Sequence, residues 1–181
     1  MGKVSAWLCE NSDSYPERSL LIPQENGLDR SEPNVAAYIS NGNIGSVKSK
    51  TAVAGGPVLA LVPTLDLLED AVHLADGQAL GVVEHAEGEI SGWAAATSAL
   101  NLETGEPSDD VPPTIREALE DLHSAGYNGY GRNRETYFKN LYGPPIKILT
   151  RSGYSFDFIS SYLVALGGHA RSMSDLKKIY R

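Results

Sequence analysis

The sequence predicts an α/β protein: a small, mostly parallel sheet with packed helices, followed by an all-helical C-terminal part. Three observations lead there. Two short apolar runs, residues 58–62 and 79–83, flank an amphipathic segment in a strand, helix, strand pattern. From residue 114 onward the apolar residues recur at helical spacing. The chain also changes character along its length: residues 1–110 carry 5 Lys/Arg against 17 Asp/Glu, residues 126–181 carry 9 against 3, and 10 of the 14 aromatic residues lie at or after Tyr127. The predicted division is an acidic α/β part over 1–110 and a basic, aromatic helical part over 111–181, packed as one compact unit.

In chain order, Val4, Ala6 and Leu8 alternate as in a strand, with Trp7 interrupting. Residues 11–32 read as loop in which only 20–22 pack. Residues 35–39 read as a second strand, closed by the turn formers Ser40, Asn41, Gly42 and Asn43. Residues 46–54 show no period and read as loop. The central unit is the firmest local signal. Residues 58–62 sit between Gly55-Gly56-Pro57 and Pro63 as a strand buried on both faces. Thr64 suits the N-cap of a helix over 65–75, because its hydroxyl can accept from a free first-turn amide. Leu67, Leu68, Val72 and Ala75 then form its inner stripe, Asp76-Gly77 ends it, and residues 79–83 return as a parallel strand. Leu59, Leu61, Leu68, Val72 and Val82 are the expected core.

Residues 90–100 read as a small-residue helix with Trp93 as its anchor, its alanines packing closely on the sheet. Residues 101–113, acidic and holding three prolines, are the expected boundary between the halves. Thr114 opens a helix with Ile115, Ala118, Leu119 and Leu122 on one face and Gly126 as its stop. Pro144 or Pro145 suits the first turn of a further helix through Leu149. Ser155 can cap a helix carrying Phe158, Ile159, Tyr162, Leu163 and Leu166, ending at Gly167-Gly168. Ser172, with Asp175 three residues on, suits the start of a last helix through Tyr180. With six residues, 167–172, between the last two helices, a helix-turn-helix fits poorly, since that motif wants three or four.

Composition limits function. The chain has 181 residues and a net charge of −8, with no apolar run near the roughly 20 residues that cross a bilayer. Its start lacks the h-region of a signal peptide. Cys9 stands alone, excluding an internal disulfide, and the histidines at 73, 85, 123 and 169 are scattered. A cytoplasmic protein with no membrane, metal or cofactor is expected. Two stretches carry candidate chemistry. Glu84, His85, Glu87 and Glu89 follow a strand end, where open α/β sheets bind ligands. Tyr127, Asn128, Tyr130, Arg132 and Arg134, with Lys139 beyond them, combine flat rings with phosphate-matching guanidinium forks, and Gly129 and Gly131 permit tight turns. An ordinary reading is available for each: a solvated acidic loop, and a loop pinned by its tyrosines.

NLETGE at 101–106, YNGYG at 127–131 and the stretch from PPIKILTRSGYS to SSYLVALG within 144–167 resemble the C-terminal portion of a set of uncharacterised bacterial proteins of similar size. The resemblance implies no activity. From the residues themselves, the expected function is a binding or regulatory protein that docks its basic, aromatic C-terminal surface on a protein partner, a second copy of itself, or nucleic acid. The alternative is a small enzyme or ligand binder at the C-terminal edge of the sheet, using Thr64, Asp66, Glu84, His85 and Glu87. No nucleophile, base and orienting group assemble by spacing, so catalytic residues are not assigned.

Overall fold

The computed structural model describes residues 1–127, 129–130 and 135–180, with the backbone alone at 135–139. The chain divides into two compact units, Met1–Glu87 and Gly88–Arg181.

The first unit is a parallel sheet covered on both faces. Its strands are β1 (Ser19–Ile22), β2 (Ile44–Ser46), β3 (Val58–Leu61) and β4 (Leu80–Val83), in the order β2-β1-β3-β4. Leu20 pairs with both Ile44 and Leu59, and Leu59 with Gly81. Successive side chains point to opposite faces. Leu20, Ile22, Ile44 and Leu59 therefore meet Leu8 and Tyr38 on one side, from helices α1 (Gly2–Glu10) and α2 (Pro33–Tyr38). Leu21, Val58 and Ala60 meet Leu67, Ala71 and Ala75 of α3 (Leu65–Ala75) on the other. The strand, helix, strand unit around α3 has the expected parallel register, and the Thr64 hydroxyl accepts from the Leu67 amide at 3.4 Å.

Four readings of this unit are corrected. Residues 4–9 are helical: Val4, Trp7 and Leu8 all pack on the core at spacings of three and one, so the interrupting Trp7 was the helical signal. Residues 35–39 belong to α2 and its 3₁₀ extension, started by Pro33 at the first helical position and by Glu32, whose carboxylate accepts from the Val35 amide at 2.7 Å. Residues 20–22, read as a packed piece of loop, belong to the central strand β1, four residues long from Ser19 and buried throughout. Among the expected core residues, Leu59 and Leu68 are fully buried, whereas Leu61, Val72 and Val82 are half-buried; Ala71 takes the inner position given to Val72.

Arg18, 9% exposed, closes the N-terminal end of β1. Its Nε donates to the Tyr38 carbonyl at 2.8 Å, and Nη2 donates to the Ala37 carbonyl at 2.9 Å and the Ser40 hydroxyl at 2.8 Å. The guanidinium also lies over the rings of Tyr15 and Tyr38, at 4.7 and 5.4 Å from their centroids. A buried cation is tolerated here because the carbonyls at the negative end of α2 and two aromatic faces replace its water.

The second unit is helical: α4 (Ser91–Thr97), α5 (Pro113–Ala125), α6 (Glu135–Arg151), α7 (Phe156–Ala165) and α8 (Ala170–Ile179). Residues 158–164 of α7 are all buried, including Ser160 and Ser161, whose hydroxyls donate back to the Asp157 and Phe158 carbonyls. A helix without a solvent side is a core helix. Trp93 and its alanines belong here and not on the sheet: α4 packs on α7, and at Gly92 an added Cβ would overlap the Phe158 carbonyl oxygen. The expected boundary at 101–113 instead lies inside this unit, where Leu100 bridges Pro107 in a short antiparallel turn. The expected inner face of α5 is observed, with Ile115, Ala118, Leu119 and Leu122 buried.

Pro144 and Pro145 do not start a helix but lie inside α6. Gly143 eases this at Pro144, because the residue before a proline is pushed from helical geometry partly by its own Cβ, which Gly143 lacks; Pro145 follows Pro144 and has no such relief. Tyr142, Pro145, Ile146 and Leu149 form a continuous buried stripe past the two prolines. Leu68→Ala should cost about 2 to 5 kcal/mol in denaturant unfolding and Val72→Ala clearly less, because only Leu68 leaves a closed cavity.

Candidate functional site

α5 ends in a corner built from glycines and tyrosines. The Gly126 amide donates to the Leu122 and His123 carbonyls at 3.0 and 3.1 Å, and Gly129, at φ +84°, turns the chain back. Tyr130 then lies directly on Gly126, where a Cβ would come within 2.4 Å of three of its ring and hydroxyl atoms. The Tyr130 hydroxyl donates to the Leu122 carbonyl at 3.3 Å, and the Tyr142 hydroxyl donates to the Gly129 carbonyl at 3.1 Å. The two rings sit 5.4 Å apart. Burial raises both phenol pKa values, so each hydroxyl stays protonated and donating.

This corrects one candidate. Tyr130 is 3% exposed and holds the corner to α5, so it has no free face for a base to stack on. Tyr127, 81% exposed, keeps one. Asn128, Arg132 and Arg134 lie outside the described residues, and Lys139 lies where only the backbone is described. Tyr127 borders a recess of about 30 Å³ shared with His123, His169, Ser172 and Met173, room for about one water molecule. It is too small for a ligand, yet it brings the corner against the turn before α8. Burial lowers the His123 pKa below its usual value.

That turn differs from the sequence reading. α8 starts at Ala170, two residues before the expected cap at Ser172, so only residues 166–169 separate it from α7. The Gly168 amide donates to the Leu163 carbonyl at 2.8 Å and the Gly167 amide to the Val164 carbonyl at 3.0 Å, with Gly167 at φ +93°. This is a Schellman closure, which satisfies two end carbonyls of α7 and turns the chain sharply. Ser155 caps the other end of α7 as expected, accepting from the Phe158 amide at 3.1 Å.

On α8, Ala170, Met173 and Leu176 are buried. Arg171, Ser174, Lys177 and Lys178 are exposed, as are Lys147 and Arg151 on α6. Lys177 leans over the Phe156 ring at 5.5 Å, and Lys178 pairs with Asp175. In the sheet unit Arg18 is buried, Arg30 pairs with Glu25 at 3.5 Å, Lys50 pairs with Asp70 at 2.9 Å, and Lys48 is exposed.

In the sheet unit, the connections from β1 and from β3 leave to opposite sides, which places the switch point between those two strands. Residues 23–24 and 62–64 flank it. Glu84 and His85 follow β4, an edge strand, and therefore stand one strand away from that crevice. Thr64 is occupied as the cap of α3, while Asp66, His85 and Glu87 are exposed. Val62 has φ +46°, uncommon for a β-branched residue. The sequence reading missed this crevice because β1 was taken as loop; the run Ser19-Leu20-Leu21-Ile22 was the available signal. Among the described residues, no group of three or more His, Cys, Asp or Glu side chains could hold a metal ion.

No protein-family model, curated protein or solved structure matches this chain.

Tyr130→Ala should cost about 3 to 5 kcal/mol in chemical denaturation and Tyr127→Ala less than about 0.5, since only the first ring is buried. The lowered pKa of His123 implies stability that is complete above about pH 6.5 and declines as pH falls below it, because the unfolded chain binds the proton more readily. His123→Gln should flatten that part of a stability–pH profile.

Proposed function

We propose that this chain is a non-enzymatic nucleic-acid-binding protein whose helical unit presents a basic surface to the phosphate backbone. The observation that supports this best is the state of its cations: Lys147, Arg151, Arg171, Lys177 and Lys178 are all at the surface, and of these five only Lys178 is in an ion pair among the described residues, while Arg116 on α5 pairs with Asp110. Exposed ammonium and guanidinium groups bind phosphate by releasing condensed counterions, which needs no catalytic constellation. Tyr127 adds an exposed ring to the same unit. The net charge of −8 argues for a localised contact: an acidic remainder repels phosphate and leaves one face for approach.

A second reading rests on the switch point. There, Val62 holds a backbone conformation costing of order 1 to 3 kcal/mol, as strained residues at ligand sites often do. A small ligand seated beyond β1 and β3 would raise the melting temperature of the chain. A panel of nucleotides and phosphorylated metabolites that leaves the melting temperature unchanged would count against it.

The nucleic-acid reading predicts binding to mixed-sequence probes at low salt, weakening steeply as salt rises. Replacing Lys147 and Arg151 with alanine should lower the slope of log K against log salt by up to about 2 on duplex probes. If those changes leave binding untouched but dissociate an oligomer in sedimentation, the surface is an interface between protein chains.

A further inference from the structure

We infer that α7, the turn 166–169 and α8 form a helix-turn-helix that seats α8 in the major groove of duplex DNA, with Arg171, Ser174 and Lys178 facing the bases. This rests on the nucleic-acid reading and names its partner. The motif requires a buried supporting helix, a turn of three or four residues that tolerates glycine, and a second helix with one face packed and the other free. α7 is buried through residues 158–164. The turn has four residues and is closed by Gly167 and Gly168. α7 and α8 touch only over a short stretch.

The two faces of α8 divide as a reading helix requires. Ala170, Met173 and Leu176, at steps of three, are buried, and Tyr180 continues their side. Arg171, Ser174 and Lys178, at i, i+3 and i+7, fall on the opposite side, with Asp175 beside them. Lys177, at i+4 from Met173, follows the packed side near the end of the helix, with its ammonium over the Phe156 ring. Arg171 occupies the second position of the helix, and the N-terminal residues of a recognition helix are the ones that reach base edges. A guanidinium there can take guanine O6 and N7 together, a serine can donate or accept, and Asp175 can accept from the cytosine amino group. Ten residues of α8 span about 15 Å, which the B-form major groove accommodates and the deep, narrow groove of duplex RNA does not.

The test uses the full chain and fluorescent probes of about 30 nucleotides or base pairs: mixed-sequence duplex DNA, the matching single strand, and a duplex RNA. Their affinities are read by anisotropy at low salt, and a random-core duplex library is then enriched on the protein. The expected result is preference for duplex DNA and an enriched consensus containing guanine. Arg171→Ala should weaken binding to that consensus by about 5- to 150-fold, and should relax the preference at one position. Lys147→Ala should weaken all duplexes alike. Because Arg171, Ser174 and Lys178 are exposed, their alanine variants are expected to keep the unaltered melting temperature. Tighter binding to the single strand or to RNA overturns the inference and leaves the broader reading standing. So does duplex binding that Arg171→Ala, Ser174→Ala and Lys178→Ala together do not change. Absence of binding to all three probes overturns both.

Discussion

The helical unit depends on covering α7. With residues 158–164 buried, this helix must be wrapped on every side, and its neighbours are selected for how closely they can approach. Gly92 lets α4 reach the backbone of α7 at Phe158, where any side chain would collide with a carbonyl. The serines at 160 and 161 are tolerated because their hydroxyls bond within the helix and ask nothing of the surroundings. α8 contributes Ala170, Met173 and Leu176 to the unit's core. Its basic side is therefore exposed as a consequence of packing, since burial of one face determines the direction of the other.

In the sheet unit the comparable feature is Arg18. A buried guanidinium is costly unless its donors are used, and here backbone carbonyls from the end of α2 and the Ser40 hydroxyl use them. The Asn41 side chain adds a bond to the Arg18 carbonyl at 2.7 Å, so the start of β1 and the end of α2 are tied from both directions. The parallel order β2-β1-β3-β4 then follows with a connection leaving to each side, and the crevice between β1 and β3 arises from topology and not from any local motif.

Cations serve different ends in the two units. In the sheet unit Arg18 is buried and Arg30 and Lys50 are paired, while Lys48 is exposed; in the helical unit Arg116 and Lys178 are paired, and Lys147, Arg151, Arg171 and Lys177 stand at the surface outside any ion pair among the described residues. The same division separates the tyrosines of the corner. Tyr130 and Tyr142 spend their hydroxyls on backbone carbonyls, and Tyr127 projects into solvent. The ordinary reading of the YNGYG stretch thus accounts for Tyr130, and the binding reading retains Tyr127.

Local order was legible wherever a short-range rule governed it. The parallel unit around α3, the inner face of α5, and the caps at Thr64 and Ser155 follow from apolar period and capping chemistry within a few residues. The charge asymmetry was plain in the sequence as well. Other features are set by residues distant in the chain, and only the tertiary structure decided them. β1 is as short as β3 and β4 but has no amphipathic helix leading directly to its sheet partners, and those partners, β2 and β3, lie far along the chain. Pro144 and Pro145 remain helical because a buried stripe outweighs their backbone penalty. Ser172 looks like a cap, yet burial of Ala170 starts α8 three residues earlier than that cap would, and with α7 ending at Ala165 the turn shortens from six residues to four. Sequence determined which segments are apolar, capped or charged; tertiary burial decided where α8 begins, and with it the length of the turn between the last two helices.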